Sequence, residues 1–184
     1  MNSGILTEPN GVFTIGHSTR SWSVFLDILQ ASAIEHVVDV RRLPGSRKYP
    51  QFDQDRMRAA LAAAHIDYTH IPALGGRRNK QCDATDSPNG LWRNISFRYY
   101  ADYALSDAFA QGLDDLLKLA RTQRVVIMCA EAVWWRCHRR IITDHLLARG
   151  FLVRHIMDKD KTQVATMTPG AVIDDNKVLY PAAD

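Results

Sequence analysis

Arg124-Val125-Val126-Ile127-Met128-Cys129-Ala130-Glu131 is the stretch that decides the fold. From Arg124 to Met128 it reads as a strand, because a short continuous apolar run suits the middle of a parallel sheet buried on both faces. The run ends abruptly in Cys129, Ala130 and Glu131, and a helical pattern follows from Trp134 to Arg149. Gly150 then stops the helix as a C′ residue. Phe151–Ile156 is the next apolar strand. One strand, one loop, one helix and a second strand is a βαβ unit.

The same alternation extends upstream. Val12–Gly16 reads as a short buried strand. Ser21 caps a helix whose apolar face is Trp22, Phe25, Leu26 and Leu29. His36–Val40 is a valine-rich strand, followed by a loop from Arg41 to Gln51 broken by Pro44, Gly45 and Pro50. Asp53 is placed as the next N-cap, with Phe52 and Met57 at the two positions of a hydrophobic staple. Asp67–Ile71 is a further strand closed by Pro72. Residues 75–94 are glycine-rich, polar and irregular, and a loop of that length is usually functional or mobile. A helical stretch from about Tyr99 to Arg121 follows, recapped near Ser106. Residues 158–184 carry no clear regular element.

Strands alternating with helices predict an α/β fold: one domain over 1–184, a three-layer sandwich around a mainly parallel sheet of about five strands. Its core spans about 12–156, with 157–184 as a C-terminal extension. With 184 residues, 46% hydrophobic and 23% charged, the chain is long and apolar enough for a real core. No apolar run is long enough to span a bilayer, so no membrane partner is expected. The first ten residues lack the basic and apolar segments of a signal peptide. The three cysteines, Cys82, Cys129 and Cys137, are odd in number and read as reduced thiols, so a cytoplasmic location is expected.

The net charge of +3 does not by itself imply nucleic acid. The arginines are more telling. Arg41 and Arg42, Arg77 and Arg78, and Arg139 and Arg140 are paired, while Arg20, Arg47, Arg93, Arg98 and Arg136 fall in other motif-bearing stretches. Arginine binds phosphate or carboxylate in a bidentate way.

Position connects these residues. In an open α/β sheet, ligands bind outside the carboxyl ends of the strands. The first strand ends in Gly16, His17, Ser18, Thr19 and Arg20, the second in Asp39, Arg41 and Arg42. The third leads into Leu74, Gly75, Gly76 and Arg77. The fourth ends in Cys129 and Glu131, the fifth in His155 and Asp158. His17 and Glu131 are acid/base candidates there, Glu131 doubling as an ion-pair anchor for Arg139 or Arg20, and Asp39 as one for Arg41. Arg20, Arg41, Arg47, Arg139, His138, Ser18, Gly75 and Gly76 are the candidates for holding an anion.

Cys129 is a thiol candidate, since a helix starting near Trp134 would lower its pKa. A strand-end cysteine, a loop and an arginine are also the layout of sulfur-transfer and phosphatase loops. The spacing to Arg136 is longer than the tight loop of those enzymes. The stronger reading of Cys129 is a small apolar residue closing a central strand, and Cys137 reads as core beside Ile141. A metal site at Cys129, Cys137, His138 and His17 finds no CxxC or HExxH spacing, so no metal is assigned and the cofactor is left unknown. Tyr49, Phe52, Tyr68, Trp92, Phe97, Tyr99, Tyr100 and Tyr103 accompany the arginines, which suits base stacking but equally suits a core stripe.

Taken together, Phe13-Thr-Ile-Gly-His-Ser-Thr19, Val38-Asp-Val-Arg-Arg-Leu-Pro-Gly-Ser-Arg47, Leu74-Gly-Gly76, Tyr100-Ala101, Met128-Cys-Ala-Glu131 and Cys137-His-Arg139 resemble the family called domain of unknown function 488. The resemblance runs in order from about Val12 to Ile156, and the tail with Tyr180 and Pro181 also looks like family members. It implies a compact α/β fold in a prokaryotic cytoplasmic protein and no assigned reaction. Its motif positions are Gly16, His17, Asp39, Arg41, Ser46, Gly75, Gly76, Cys129, Glu131, Cys137, His138 and Arg139. The leading expectation is an enzyme acting on a phosphate-bearing substrate, a nucleotide or nucleic acid, at the carboxyl edge. The alternatives are a non-catalytic nucleotide or nucleic-acid binding module and thiol chemistry at Cys129.

Overall fold

The computed structural model describes residues 11–45 and 47–182. The N-terminal stretch read for a leader, and Ser46 of the arginine loop, lie outside the described residues. Five strands run parallel, β1 (Gly11–Gly16), β2 (His36–Asp39), β3 (Asp67–His70), β4 (Val125–Cys129) and β5 (Leu152–Asp158), in the order β3-β2-β4-β1-β5. A sixth, β6 (Lys161–Val164), adds antiparallel to β5 through a bulge. The helices are α1 (Trp22–Ala31), α2 (Gln54–Ala63), α3 (Ile95–Tyr103), α4 (Asp107–Ala120) and α5 (Arg139–Ala148). The result is α/β, with helices on both faces of a mainly parallel sheet.

Side-chain alternation along the strands sorts the core into two layers. Phe13, Ile15, Val37, Val126 and Met128 face α1 and α2, packing on Phe25, Ile28, Leu29, Met57 and Leu61. Val12, Val38, Val125, Ile127 and Cys129 face the other way, onto Tyr100, Phe109, Leu113, Ile141 and Leu146 of α3, α4 and α5. Cys129 therefore faces α5.

Local signals place most boundaries. The Ser21 hydroxyl caps α1 by accepting from the Val24 amide, and Ser106 caps α4 by accepting from the Phe109 amide. Phe52 and Met57 are both fully buried, as a staple across the start of α2 requires. Gly150 has φ of 79° and ends α5 in the left-handed region. The helix read from Tyr99 begins earlier, at Ile95, because the Asn94 side chain caps it.

Two expectations are corrected. The helix read from Trp134 is a single 3-10 turn at Trp134–Arg136, after which Cys137 is extended and α5 begins at Arg139. The tail, read as irregular, holds β6 and a hairpin of β7 (Val172–Asp174) and β8 (Lys177–Leu179). These strands are short and mostly exposed, so their pattern lacks the apolar alternation that marks a half-buried strand. The tail is sewn down at Tyr180, which is fully buried. Its hydroxyl donates to Asp144 Oδ2 at 2.8 Å, and its amide donates to Asn89 Oδ1 at 3.0 Å. Among the described residues, no helix is long and apolar enough to cross a membrane.

Candidate functional site at the carboxyl edge

β1 and β4 lie side by side, with Gly16 paired to Cys129 at their carboxyl ends. The chain leaves β1 for α1 on one face and leaves β4 for α5 on the other. This reversal between β1 and β4 is the topological position beside which open α/β sheets bind ligands. The ladder continues past both strands, the His17 amide bonding the Cys129 carbonyl and the Ser18 amide the Ala130 carbonyl. Glycine is required here, since a Cβ on Gly16 would overlap the Glu131 backbone carbonyl. A Cβ on Gly75 would sit 2.7 Å from Arg42 Cα, and one on Gly76 2.8 Å from His138 Nδ1. The loops after β1, β2, β3 and β4 thus close on one another.

At the end of β2, Asp39 and Arg41 form a buried pair with Nη2 and Oδ2 2.6 Å apart. Arg41 Nη1 donates to the Phe52 carbonyl, Tyr68 donates to Asp39 Oδ2, and His70 Nε2 donates to the Arg41 carbonyl. His17 stacks on Phe52 with ring centroids 4.2 Å apart, and its Nδ1 donates to the Ser18 carbonyl. Its Nε2 therefore faces Arg41 Nη1, at 3.5 Å, as an acceptor. Burial, with Arg41 and Arg139 nearby, lowers the His17 pKa to about 4 against the pull of Ser18 and Asp39. His17 is thereby set against Arg41 at the end of β2.

At the end of β4, Cys129 and Cys137 meet, with sulfurs 2.9 Å apart, both free and both buried. The helix N-terminus that sequence reading placed near Cys129 stands at Cys137 instead, because α5 starts five residues later than its pattern suggests. The Arg139 amide points at Cys137 Sγ from 3.5 Å. His138 Nε2 donates to the Val40 carbonyl at 2.9 Å, which leaves its Nδ1 facing Cys137 Sγ at 3.4 Å. Arg139 is 1% exposed and forms no carboxylate ion pair among the described residues. Its Nη2 donates to the Glu131 and Ala132 carbonyls, its Nη1 reaches Thr14 Oγ1 at 3.5 Å, and its Nε has no hydrogen-bond partner. Glu131 thus holds Arg139 through its backbone, and its side chain is exposed.

Burial pushes the Cys129 thiol up, and the bond it shares with Cys137 and the negative charge there push it further. Burial opposes ionisation of Cys137 as well. The hydrogen bond from Cys129, the His138 imidazole and the Arg139 guanidinium outweigh it and hold Cys137 well below the usual thiol range.

The other candidates take their places around this centre. Arg20 donates to the Gly16 and Met157 carbonyls, tying β1 to β5. Ser18 sits in the left-handed region, φ 51°, at the turn into α1. Arg42 donates to the Arg77 carbonyl, while Arg47, Arg77 and Arg136 are exposed. Tyr100, Tyr103, Trp92 and Phe97 belong to the core beneath α3, not to an open stacking surface. Sequence reading passed over Thr14 and His70. A polar Thr14 inside an apolar central strand was the available signal; its hydroxyl joins His155 Nδ1 at 2.8 Å and Arg139. No group of three or more metal-binding side chains gathers among the described residues.

The fold and site define a class: an α/β protein with a buried arginine-and-thiol cluster at the carboxyl edge of a parallel sheet. The family model described as domain of unknown function DUF488 matches residues 21–146, more than half of the chain, and the protein belongs to that family. No curated protein and no solved structure matches it.

Proposed function

We propose that the carboxyl edge binds a phosphate-bearing ligand, a nucleotide or a nucleic-acid strand, through the exposed cations of its loops. One observation carries this reading. Arg41 and Arg139 are buried, with their terminal nitrogens turned to groups inside the protein, whereas Arg42, Arg47, Arg77 and Arg136 are exposed on the loops after β2, β3 and β4 and form no ion pair among the described residues. Lys48 joins them, and Trp135, 44% exposed, offers a ring beside Arg136. Exposed guanidinium groups without carboxylates suit phosphate, and an exposed indole suits a base. Glu131 is the exposed carboxylate in the β4 loop and the group placed to move a proton on a bound ligand.

A second basic groove, of about 560 Å³, lies against β5 and is lined by Phe13, Arg124 and Arg154 among others. Its Arg124 is committed, donating to the Ser32 carbonyl and stacking on Phe13 at 4.4 Å. This groove serves as the control.

The test is anisotropy of a labelled single-stranded oligonucleotide, with a nucleoside triphosphate as competitor, across a salt series. Arg47→Ala, Arg77→Ala and Arg136→Ala should each weaken binding several-fold and reduce the log–log salt slope by about 0.7. Arg154→Ala should leave both unchanged. Phosphate release that Glu131→Gln abolishes identifies an enzyme, and steep salt dependence without turnover identifies a binder. No binding of either ligand at low salt, or binding lost only with Arg154→Ala, defeats the proposal.

A further inference from the structure

The cysteine pair carries an activity that phosphate binding does not use. We propose that Cys137 and Cys129 form a peroxide-reactive dithiol, with Cys137 as nucleophile and Cys129 as the resolving thiol that closes a disulfide.

The assignment of roles follows from geometry. Cys137 stands just before the N-cap residue His138 of α5, so the first amide of that helix and the positive end of its dipole face Cys137 Sγ. His138 supplies a base. With Nε2 committed as a donor to Val40, the lone pair of Nδ1 is the side that accepts the Cys137 proton. Arg139 supplies the counter-charge. A guanidinium 1% exposed with no carboxylate partner among the described residues is costly unless an anion faces it. A Cys137 thiolate is that anion, and the bare Nε of Arg139 marks the unspent donor. Cys129 shares the Arg139 guanidinium but has neither the helix amide nor the imidazole. It closes a central strand, receives no bond from the α5 amide, and its role is to donate to Cys137. The sulfurs at 2.9 Å must approach by less than about 1 Å to bond.

The reaction balances as follows. The Cys137 thiolate attacks one oxygen of hydrogen peroxide, the O–O bond breaks, and the released hydroxide takes the proton held by His138 to leave as water. Cys137 is now a sulfenic acid. The Cys129 sulfur then attacks the Cys137 sulfur, the S–O bond breaks, and hydroxide leaves with the Cys129 proton as a second water. Two thiols are oxidised to one disulfide and one peroxide is reduced to two waters. A small dithiol reductant restores the pair by exchange, becoming a disulfide itself. Peroxide suits a site this closed because it is scarcely larger than water.

The experiment uses the reduced full chain and stoichiometric hydrogen peroxide under native conditions, followed by alkylation and peptide mapping. The expected product is a Cys129–Cys137 cross-link with Cys82 still alkylatable, formed roughly tenfold faster than oxidation of Cys82. In Cys129→Ser the reaction should stop at a Cys137 sulfenic acid, trapped by dimedone. In Cys137→Ser, Cys129 should stay unmodified. If either variant fails to fold, the cross-link map of the unmodified chain decides alone. Three results overturn the proposal: no cross-link in excess peroxide while the protein remains folded, oxidation confined to Cys82, or sulfenylation of Cys129 in Cys137→Ser.

Discussion

Asp39 and Arg41 stand two residues apart at the end of β2 and grip each other side-on, Nε reaching Oδ1 at 2.9 Å and Nη2 reaching Oδ2 at 2.6 Å. Asp39 is fully buried and Arg41 is 7% exposed. The same carboxylate also takes the Arg41 amide and the Tyr68 hydroxyl, so it anchors the whole start of the arginine loop. Removing one partner leaves the other charged and dry. Asp39→Asn should destabilise the protein by about 3–5 kcal/mol. Replacing both residues with apolar ones of similar volume should cost less than Asp39→Asn alone. Urea unfolding of the single and double variants checks the order.

Gly16 is a site of close approach. A methyl group there would overlap the Glu131 carbonyl, which is backbone and cannot swing aside. Gly16→Ala should cost about 3 kcal/mol or more by prising β1 from the β4 loop. Gly45 is the contrast, since a Cβ there meets nothing within 4 Å. Gly45→Ala should be neutral or slightly stabilising, by up to about 1 kcal/mol. Melting temperatures of the two variants should move in clearly different amounts.

Acid should unfold this protein through its histidines. Burial lowers His17 and His155 to about 4 and His145 to about 3, with Arg41, Arg139 and Arg149 adding to it. An unfolded histidine titrates near its ordinary value of 6.5. Between that value and the folded one, the unfolded chain binds more protons, so stability rises with pH. The stabilisation is complete above about pH 6.5 and drains away as pH falls toward 4, at about 1.4 kcal/mol per pKa unit for each group. Asp144, raised by burial, works in the opposite sense, but it is one carboxyl group against three imidazoles. Melting from pH 7.5 to 4.5 should show a steep fall, and His145→Leu should flatten it, because neither ring nitrogen of His145 has a hydrogen-bond partner.

Tyr180 is the rivet of the tail. Its hydroxyl satisfies Asp144, which also accepts the Thr168 amide, and its ring packs edge-on against Trp92. Tyr180→Phe keeps the packing and leaves a buried carboxylate oxygen short of a donor. A loss of about 1–3 kcal/mol is expected. Limited proteolysis should then cut within 161–179 faster than in the unaltered chain.

The strand-and-helix order was legible in the sequence because it rests on local physics. A continuous apolar run such as Val125–Met128 has few alternatives to a buried strand, and Ser21, Ser106 and Gly150 act on backbone within one turn. Since every parallel strand points the same way, the gathering of His17, Asp39, Gly75 and Cys129 at one edge follows from that order alone. Strand parity carries a further signal. Cys129 lies two and four residues beyond Ile127 and Val125, so it faces the layer into which the chain next returns, bringing Cys137. Which arginines are buried, and against what, is not a local property. Arg41 and Arg47 look alike in the chain, but Arg41 is held by the Phe52 carbonyl and by Asp39, which Tyr68 of β3 bonds in turn. Nor does any short-range pattern bring Tyr180 to Asp144, or leave the Arg139 guanidinium facing two sulfurs in place of a carboxylate. Those outcomes depend on how the layers pack, because the charge a buried group can carry is decided by whatever the rest of the chain sets beside it.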